Sequence, residues 1–132
     1  MSSLLLLPSL LCQVPPAAKI AVLTYDSAHL TPDMLGIDDP AGRARIVIGG
    51  IEGGKYWHDE RKIPIPPPDA AAIEADVRAC IERLRGAHPE IAAIVFECTG
   101  FPFLAPAIRR SAKLPVYDIT TLCRTMLASL PR

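Results

Sequence analysis

Four short apolar runs, separated by segments with helical features, constrain the fold of this chain more than any other feature. The runs are four to six residues long and occupy residues 19–24, 45–48, 91–96 and 115–119. Apolar runs of this length are typical of strands buried on both faces of a parallel sheet. Strands and helices alternate along the chain, which predicts an α/β fold: an open parallel sheet of about four strands with helices on both faces.

The longest helix is predicted after a proline-rich connector that ends at Pro68. Asp69 can cap its first turn, and Gly86 can end it. The apolar residues between them recur at helical spacing and form one face. They are Ile73, Val77, Cys80, Ile81 and Leu84.

The leucine-rich start of the chain has the hydrophobicity of a short signal peptide. No Lys or Arg precedes it, since the first is Lys19, and no small-residue cleavage site follows it. The apolar stretch is also too short to span a bilayer. We therefore interpret it as a buried piece of the fold or of an interface, and we expect a cytoplasmic protein without a membrane partner.

Charge and cysteine content exclude several classes of function. The 14 basic and 14 acidic residues give a formal net charge of zero, which argues against a nucleic-acid partner. The four cysteines form no CxxC pair or common zinc pattern, so we expect no metal site. They are also too sparse for a secreted disulfide scaffold, which fits a reducing compartment. The cysteines are Cys12, Cys80, Cys98 and Cys123.

Small polar residues and one thiol follow the ends of the predicted strands. In an open parallel sheet, ligands bind beyond the carboxyl ends of the strands. Residues 24–27, 49–54, 97–100 and 117–118 meet there, and hydroxyls and free backbone N–H groups suit a small carboxylate. Cys98 stands where a strand ends and a helix is about to begin, a position that lowers a thiol pKa. The alternative is a cysteine packed as a small hydrophobe.

The motif around Cys98 resembles that of a known family. Residues 97–104, Glu-Cys-Thr-Gly-Phe-Pro-Phe-Leu, followed by Leu-Pro-Val-Tyr-Asp-Ile at 114–119, are similar to the second cysteine motif of the aspartate/glutamate/hydantoin racemase superfamily. The resemblance implies a Rossmann/flavodoxin-like domain at residues 19–132, equivalent to the second of the family's two domains. It also implies that residues 1–18 are the segment that crosses between domains.

The resemblance implies racemase or epimerase chemistry without a cofactor, in which a thiolate moves the proton on the carbon next to a carboxylate. Cys98 would be the catalytic base, and the substrate an amino acid or related acid. The implied substrate-binding residues are Thr99, Gly100, Thr24, Ser2 and Ser3.

Two departures from the family pattern modify this expectation. The first domain and its cysteine are absent, so we expect the chain alone to be inactive unless the missing N-terminal domain or a second copy completes it. Gly100 stands where amino-acid racemases carry a histidine, which points to another carboxylate. The alternative is a non-catalytic module that binds a small carboxylate, or a degenerate fragment of the same fold.

Overall fold

Four parallel strands form the centre of the protein in a computed structural model, which describes residues 1–131. The strands lie in the order β2-β1-β3-β4, and every neighbouring pair is parallel. The predicted four-stranded parallel sheet is therefore confirmed. The strands are β1 (Lys19–Thr24), β2 (Ile46–Gly50), β3 (Ile91–Phe96) and β4 (Val116–Tyr117).

Helices connect the strands and cover both faces of the sheet. The α-helices are α1 (Leu7–Gln13), α2 (Pro40–Arg43), α3 (Lys55–Asp59), α4 (Ala70–Ala87), α5 (Ala105–Ala112) and α6 (Ile119–Ala128). Single 3₁₀ turns occur at Ser3–Leu6, Ser27–His29, Pro32–Leu35 and Pro102–Leu104. Within residues 1–131, no helix combines the length and the apolar character needed to cross a membrane.

The side chains of the central strands alternate between two hydrophobic cores. Leu23 and neighbouring residues of that face pack against α4 and α5. Val22 belongs to the opposite face, where Leu4, Leu7 and Leu10 cover it. The leucine-rich start is thus buried against the sheet, although Leu5 within it is 64% exposed.

Helix boundaries follow local caps more closely than they follow glycine and proline. The Asp69 carboxylate accepts a hydrogen bond from the Ala72 N–H and caps α4, as predicted. Gly86 does not end that helix, which continues to Ala87 because the His88 N–H still bonds to the Leu84 carbonyl. Pro102 begins a 3₁₀ turn rather than an α-helix, and α5 starts only at Ala105.

The strand order places β1 and β3 side by side at the centre of the sheet. The chain continues from β1 to one side and from β3 to the other, so the order reverses between them. Leu23 lies opposite Phe96, and the Glu97 N–H donates to the Leu23 carbonyl at 2.8 Å. A crevice beyond the carboxyl ends of two such strands is the usual ligand position in open α/β sheets.

Candidate functional site

The ends of β1 and β3 are joined by a hydrogen bond between side chains. The Thr24 hydroxyl donates to Glu97 Oε2 at 2.7 Å, and Thr24 is only 5% exposed. Hydrogen bonds to an ionised carboxylate are shorter and stronger than neutral ones. This hydrogen bond holds the Glu97 carboxylate, which precedes Cys98 in the chain. It also occupies the Thr24 hydroxyl, which was predicted to bind the substrate.

Cys98 and Gly100 form a tight turn directly after β3. The Gly100 N–H donates to Cys98 Sγ at 3.4 Å, and the Phe101 N–H donates to the Cys98 carbonyl at 3.2 Å. Phe101 is fully buried and packs its ring edge-to-face on Phe96, with the centroids 5.6 Å apart. A buried aromatic residue thus anchors the turn, while Cys98 stays partly exposed at the edge of the sheet.

The structure corrects the predicted electrostatics of this thiol. Burial raises the pKa of Cys98 and outweighs the opposing hydrogen bond from Gly100, and the nearby Glu97 and Glu60 carboxylates raise the pKa further. The prediction of a lowered pKa was wrong because α5 begins seven residues further on, at Ala105. The intervening residues turn the chain before the helix starts, so its N-terminus gives the thiol no direct stabilisation.

The serines and Thr99 lie in different surroundings. The Ser3 hydroxyl is buried and donates to the Phe96 carbonyl at 2.8 Å, two residues before Cys98 in the chain. Ser2 accepts from the Leu4 N–H and caps the first 3₁₀ turn. Thr99 is exposed beside Cys98. Both serine side chains thus have roles within the fold, and ligand binding by the five predicted residues stays a prediction.

An aromatic cluster beside Cys98 is the main feature of the site that sequence reasoning did not assign. Tyr25, directly after β1, packs perpendicular to Tyr56 of α3, with ring centroids 5.9 Å apart. The Tyr25 hydroxyl donates to the Trp57 carbonyl at 3.1 Å. The position that a Cβ at Gly100 would occupy lies 3.5 Å from the Tyr56 hydroxyl and 3.5 Å from Cys98 Sγ. The tyrosine pair and the thiol therefore border the same space.

Charged residues attach this aromatic cluster to the loop that follows β1. The Asp26 carboxylate accepts from Trp57 Nε1 at 3.2 Å and lies 3.7 Å from the Arg61 guanidinium. The same guanidinium stacks on the Trp57 ring, 3.7 Å from its centroid. Although burial opposes it, the hydrogen bond from Trp57 lowers the pKa of Asp26, which keeps this carboxylate ionised. α3 is thus fastened to the loop after β1.

The other rim segments are occupied by structural contacts. The Ser27 hydroxyl and N–H both donate to the Glu52 carboxylate, which links the loops after β1 and β2. The Asp118 carboxylate accepts from the Thr121 N–H and caps α6. His58 is exposed. Within residues 1–131, no group of three or more His, Cys, Asp or Glu side chains could hold a metal ion.

A signal for the aromatic cluster was present in the sequence. The chain has one tryptophan and three tyrosines, and the adjacent pair Tyr56-Trp57 stands out among so few aromatic residues. Both residues lie in the short helix α3. Its contact with Tyr25 could not be predicted because it depends on how the chain after β2 folds back over the sheet edge.

Comparison with known proteins gives matches along almost the whole chain. Dimethylsulfoniopropionate lyase 3 of Emiliania huxleyi (strain CCMP1516) is 32% identical over 139 residues, which cover 98% of this chain and 36% of that protein. A protein of Durusdinium sp. clade D named dimethylsulfoniopropionate lyase is 31% identical over 125 residues, or 89% of this chain and 40% of its own length. Dimethylsulfoniopropionate lyase 7 of Emiliania huxleyi is 29% identical over 98% of this chain.

The matches cover only part of the length of each relative. The chain spans between 36% and 40% of the curated relatives it matches. No family model matches the chain. No solved structure matches it significantly.

The comparisons overturn the racemase assignment. The matched relatives are named lyases, and no family model supports the aspartate/glutamate/hydantoin racemase superfamily. The predictions of a racemase, an epimerase or another isomerase of amino acid metabolism are therefore wrong. The alternative of a non-catalytic module or degenerate fragment also has no support in these names. The motif at residues 97–104 forms a turn at the end of a strand and places a thiol there. Such a turn does not determine which reaction the thiol carries out.

Proposed function

We propose that this chain carries a site that cleaves dimethylsulfoniopropionate, with Cys98 as the catalytic base. The observation that supports it most is that the similarity to proteins named for this activity extends over 98% of the chain, including the strand ends at which Cys98 lies. The geometry adds a thiol at the reversal point of a parallel sheet, where ligands of such folds bind. The relatives are longer than this chain, so the activity in their names is proposed for this chain and not taken over from them.

The reaction follows from the structure of the substrate named in these relatives. Dimethylsulfoniopropionate carries a carboxylate at one end and a positively charged dimethylsulfonio group at the other, separated by two CH₂ groups. The Cys98 thiolate takes a proton from the CH₂ next to the carboxylate. The electron pair of that C–H bond forms the carbon–carbon double bond, and the C–S bond breaks with its electrons going to sulfur. Dimethyl sulfide and acrylate leave, and the thiol returns its proton to solvent.

The turn that holds Cys98 suits this role in one respect and opposes it in another. The Gly100 N–H already points at Sγ and stabilises negative charge there. Burial raises the pKa of Cys98, so the thiolate is a minor form until substrate binds. A catalytic base works best when its pKa lies near the working pH, so the raised pKa of Cys98 opposes catalysis until a bound substrate favours the thiolate.

The carboxylate end of the substrate needs hydrogen-bond donors that the fold does not already use. The Thr24 and Ser3 hydroxyls donate to Glu97 and to the Phe96 carbonyl. Thr99 is exposed next to the thiol, so its hydroxyl and N–H are the nearest donors to a carboxylate at this edge. We assign Thr99 to substrate binding on that ground, whereas the Gly100 N–H already donates to Cys98 Sγ.

The direct test is release of dimethyl sulfide, measured by headspace gas chromatography, with acrylate followed by its vinyl proton signals in NMR spectra. We expect release by the wild-type chain and a loss of at least about a hundredfold in Cys98→Ser, the lower end of what a positioned base contributes. A wild-type chain that releases no dimethyl sulfide above the uncatalysed rate would contradict the proposal for this chain.

Two control variants separate chemistry from folding. Cys123 lies on α6, away from β1 and β3, and Cys123→Ser should keep full activity. Gly100→Ala adds a methyl group at ordinary contact distance from Cys98 Sγ and the Tyr56 hydroxyl, so it should fold normally and yet narrow the substrate space. Equal activity of Cys98→Ser and Cys123→Ser would show that the thiol is not the base.

A further inference from the structure

We infer that Tyr25 and Tyr56, with the Glu60 carboxylate beside them, form a subsite for an alkyl sulfonium or similarly substituted ammonium cation. The inference rests on the proposed function, since it assigns the positively charged end of that substrate to named residues. It also makes a statement about binding that does not depend on catalysis. The observation that carries it is the perpendicular tyrosine pair next to the thiol.

The geometry of the pair is that of a corner with two aromatic walls. The rings make an edge-to-face contact at 88° with centroids 5.9 Å apart, so the face of one ring and the uncovered part of the other ring's face meet at a right angle. Aromatic faces carry negative electrostatic potential and attract cations, and sites for methylated onium groups are commonly built from several such faces. Both tyrosines are partly exposed, which leaves the corner open to a ligand.

The position of the corner fits the distance between the two ends of the substrate. The Tyr56 hydroxyl and Cys98 Sγ both border the position that a Cβ at Gly100 would occupy, each at the ordinary contact distance of 3.5 Å. In dimethylsulfoniopropionate the sulfur is bonded to the carbon next to the one that loses its proton. A sulfonium group on the Tyr56 ring therefore keeps the acidic CH₂ within reach of the thiol.

The charge around the corner is negative on the side that faces the thiol. Burial is the largest cause of the raised pKa of Tyr25, Tyr56 and Cys98, and the Glu60 carboxylate adds to it at all three groups. At Tyr25 the Arg61 guanidinium opposes this effect more strongly than Glu60 supports it, so the negative charge is felt mainly at Tyr56 and Cys98. Glu97 stands on the other side of Cys98, fixed by Thr24. A cation between these carboxylates is stabilised, whereas a neutral group of the same shape gains nothing from them.

The protein itself shows that this aromatic cluster accepts a cation. The Arg61 guanidinium lies over the adjacent Trp57 ring, 3.7 Å from its centroid, and is held there by Asp26. That contact occupies the Trp57 ring, and the Arg61 guanidinium also lies near the Tyr25 hydroxyl, where it opposes the effect of burial on the pKa of Tyr25. Arg61 also limits the corner on one side, which makes a compact onium group a better occupant than a long cationic chain.

The test uses a ligand pair that cannot react. Dimethylsulfonioacetate has a single carbon between sulfur and carboxylate, so elimination is impossible. 3-Methylbutanoate is its isostere, with the same carboxylate and an uncharged isopropyl group in place of the sulfonium. Binding of each to the wild-type chain is measured by isothermal titration calorimetry and by the fluorescence of Trp57, the one tryptophan in the chain. We expect the sulfonium probe to bind about tenfold more tightly, the size of a partly desolvated cation–π contact.

Variants then assign the preference to the corner. Tyr56→Leu should reduce the preference to about twofold or less, whereas Tyr56→Phe, which keeps the ring face, should retain most of it. Glu60→Gln should lower the affinity for the sulfonium probe about threefold and leave the isostere unaffected. Tyr117→Leu is the matched control, because Tyr117 packs on the opposite face of the sheet.

The outcomes distinguish this inference from the proposed function. Equal affinity for the two probes, absence of binding by the sulfonium probe, or full preference in Tyr56→Leu would each overturn the subsite. Circular dichroism identifies any variant that fails to fold. If Tyr56→Leu does not fold, the affinities of Tyr56→Phe and Glu60→Gln for the two probes test the subsite instead. Dimethyl sulfide release without a preference for the sulfonium probe would support the lyase proposal and refute the subsite. A preference for the sulfonium probe without dimethyl sulfide release would support the subsite and refute the lyase proposal.

Discussion

Replacing Thr24 with valine removes the hydrogen bond that joins the ends of the two central strands and keeps the shape of the side chain. The Thr24 hydroxyl lies 2.7 Å from Glu97 Oε2 and is nearly inaccessible to water. Hydrogen bonds to charged groups contribute about 1.5–3 kcal/mol to stability. Glu97 is partly exposed, so water replaces part of the lost bond, and we expect a loss close to 1.5 kcal/mol.

The assay is urea unfolding followed by circular dichroism, together with a thermal scan. For a chain of this size a loss of 1.5 kcal/mol corresponds to a fall in Tm of roughly 6 °C. Thr24→Ser keeps the hydroxyl and should cost clearly less than Thr24→Val. The double variant with Glu97→Ala should show a coupling energy of about 1 kcal/mol, because both single changes remove the same bond.

Two results would refute this reasoning. If Thr24→Val and Thr24→Ser were equally destabilising, the methyl group and not the hydroxyl would matter. If the two changes at Thr24 and Glu97 were additive, the hydrogen bond would contribute nothing to stability in solution. Either result would also remove the reason to treat Glu97 as a fixed carboxylate beside Cys98.

Two further predictions concern the core on the α4 side of the sheet. Gly49→Ala should destabilise the fold by about 1–2 kcal/mol in urea unfolding, because the new Cβ would lie 2.7 Å from Leu84 Cδ1 and 2.9 Å from Cys80 Sγ. Gly86→Ala places its Cβ where no atom lies within 4 Å and should stabilise the fold by about 0.5 kcal/mol. Changes in stability of the same sign for both variants would contradict this prediction. Burial raises the pKa of Cys80 to about 11, so iodoacetamide at pH 8 should modify the exposed Cys12 and leave Cys80 unmodified in the folded protein; rapid labelling of Cys80 would mean that the core opens readily.

The architecture was predictable because its signals are local. Runs such as residues 91–96 are too apolar and too short for anything but buried strands, and a parallel sheet follows from their alternation with helices. Asp69 was recognisable as a cap because a carboxylate one residue before a helix has few other uses. The order of strands and helices also predicted which edge of the sheet brings the thiol and the polar strand ends together.

The details of the site were not predictable in the same way, because they depend on contacts between distant segments. The pKa of Cys98 depends on burial and on Glu60, which lies 38 residues away in the chain. The bond between Thr24 and Glu97 likewise spans 73 residues. The family resemblance failed for another reason: a short motif around one thiol does not specify which reaction takes place at that thiol.

The two proposals together imply that substrate binding activates the base. In the free site, burial and two carboxylates raise the pKa of Cys98 and keep the thiol protonated near neutral pH. A sulfonium cation beside Tyr56 offsets those carboxylates and favours the thiolate, so binding should release a proton to solvent. The measurement is calorimetric titration with dimethylsulfonioacetate in buffers of different ionisation enthalpy at pH 8. We expect a fractional proton release that is absent with 3-methylbutanoate and absent in Cys98→Ser. Equal proton release in wild type and Cys98→Ser would place the titrating group elsewhere, and the thiol would then need another source of activation.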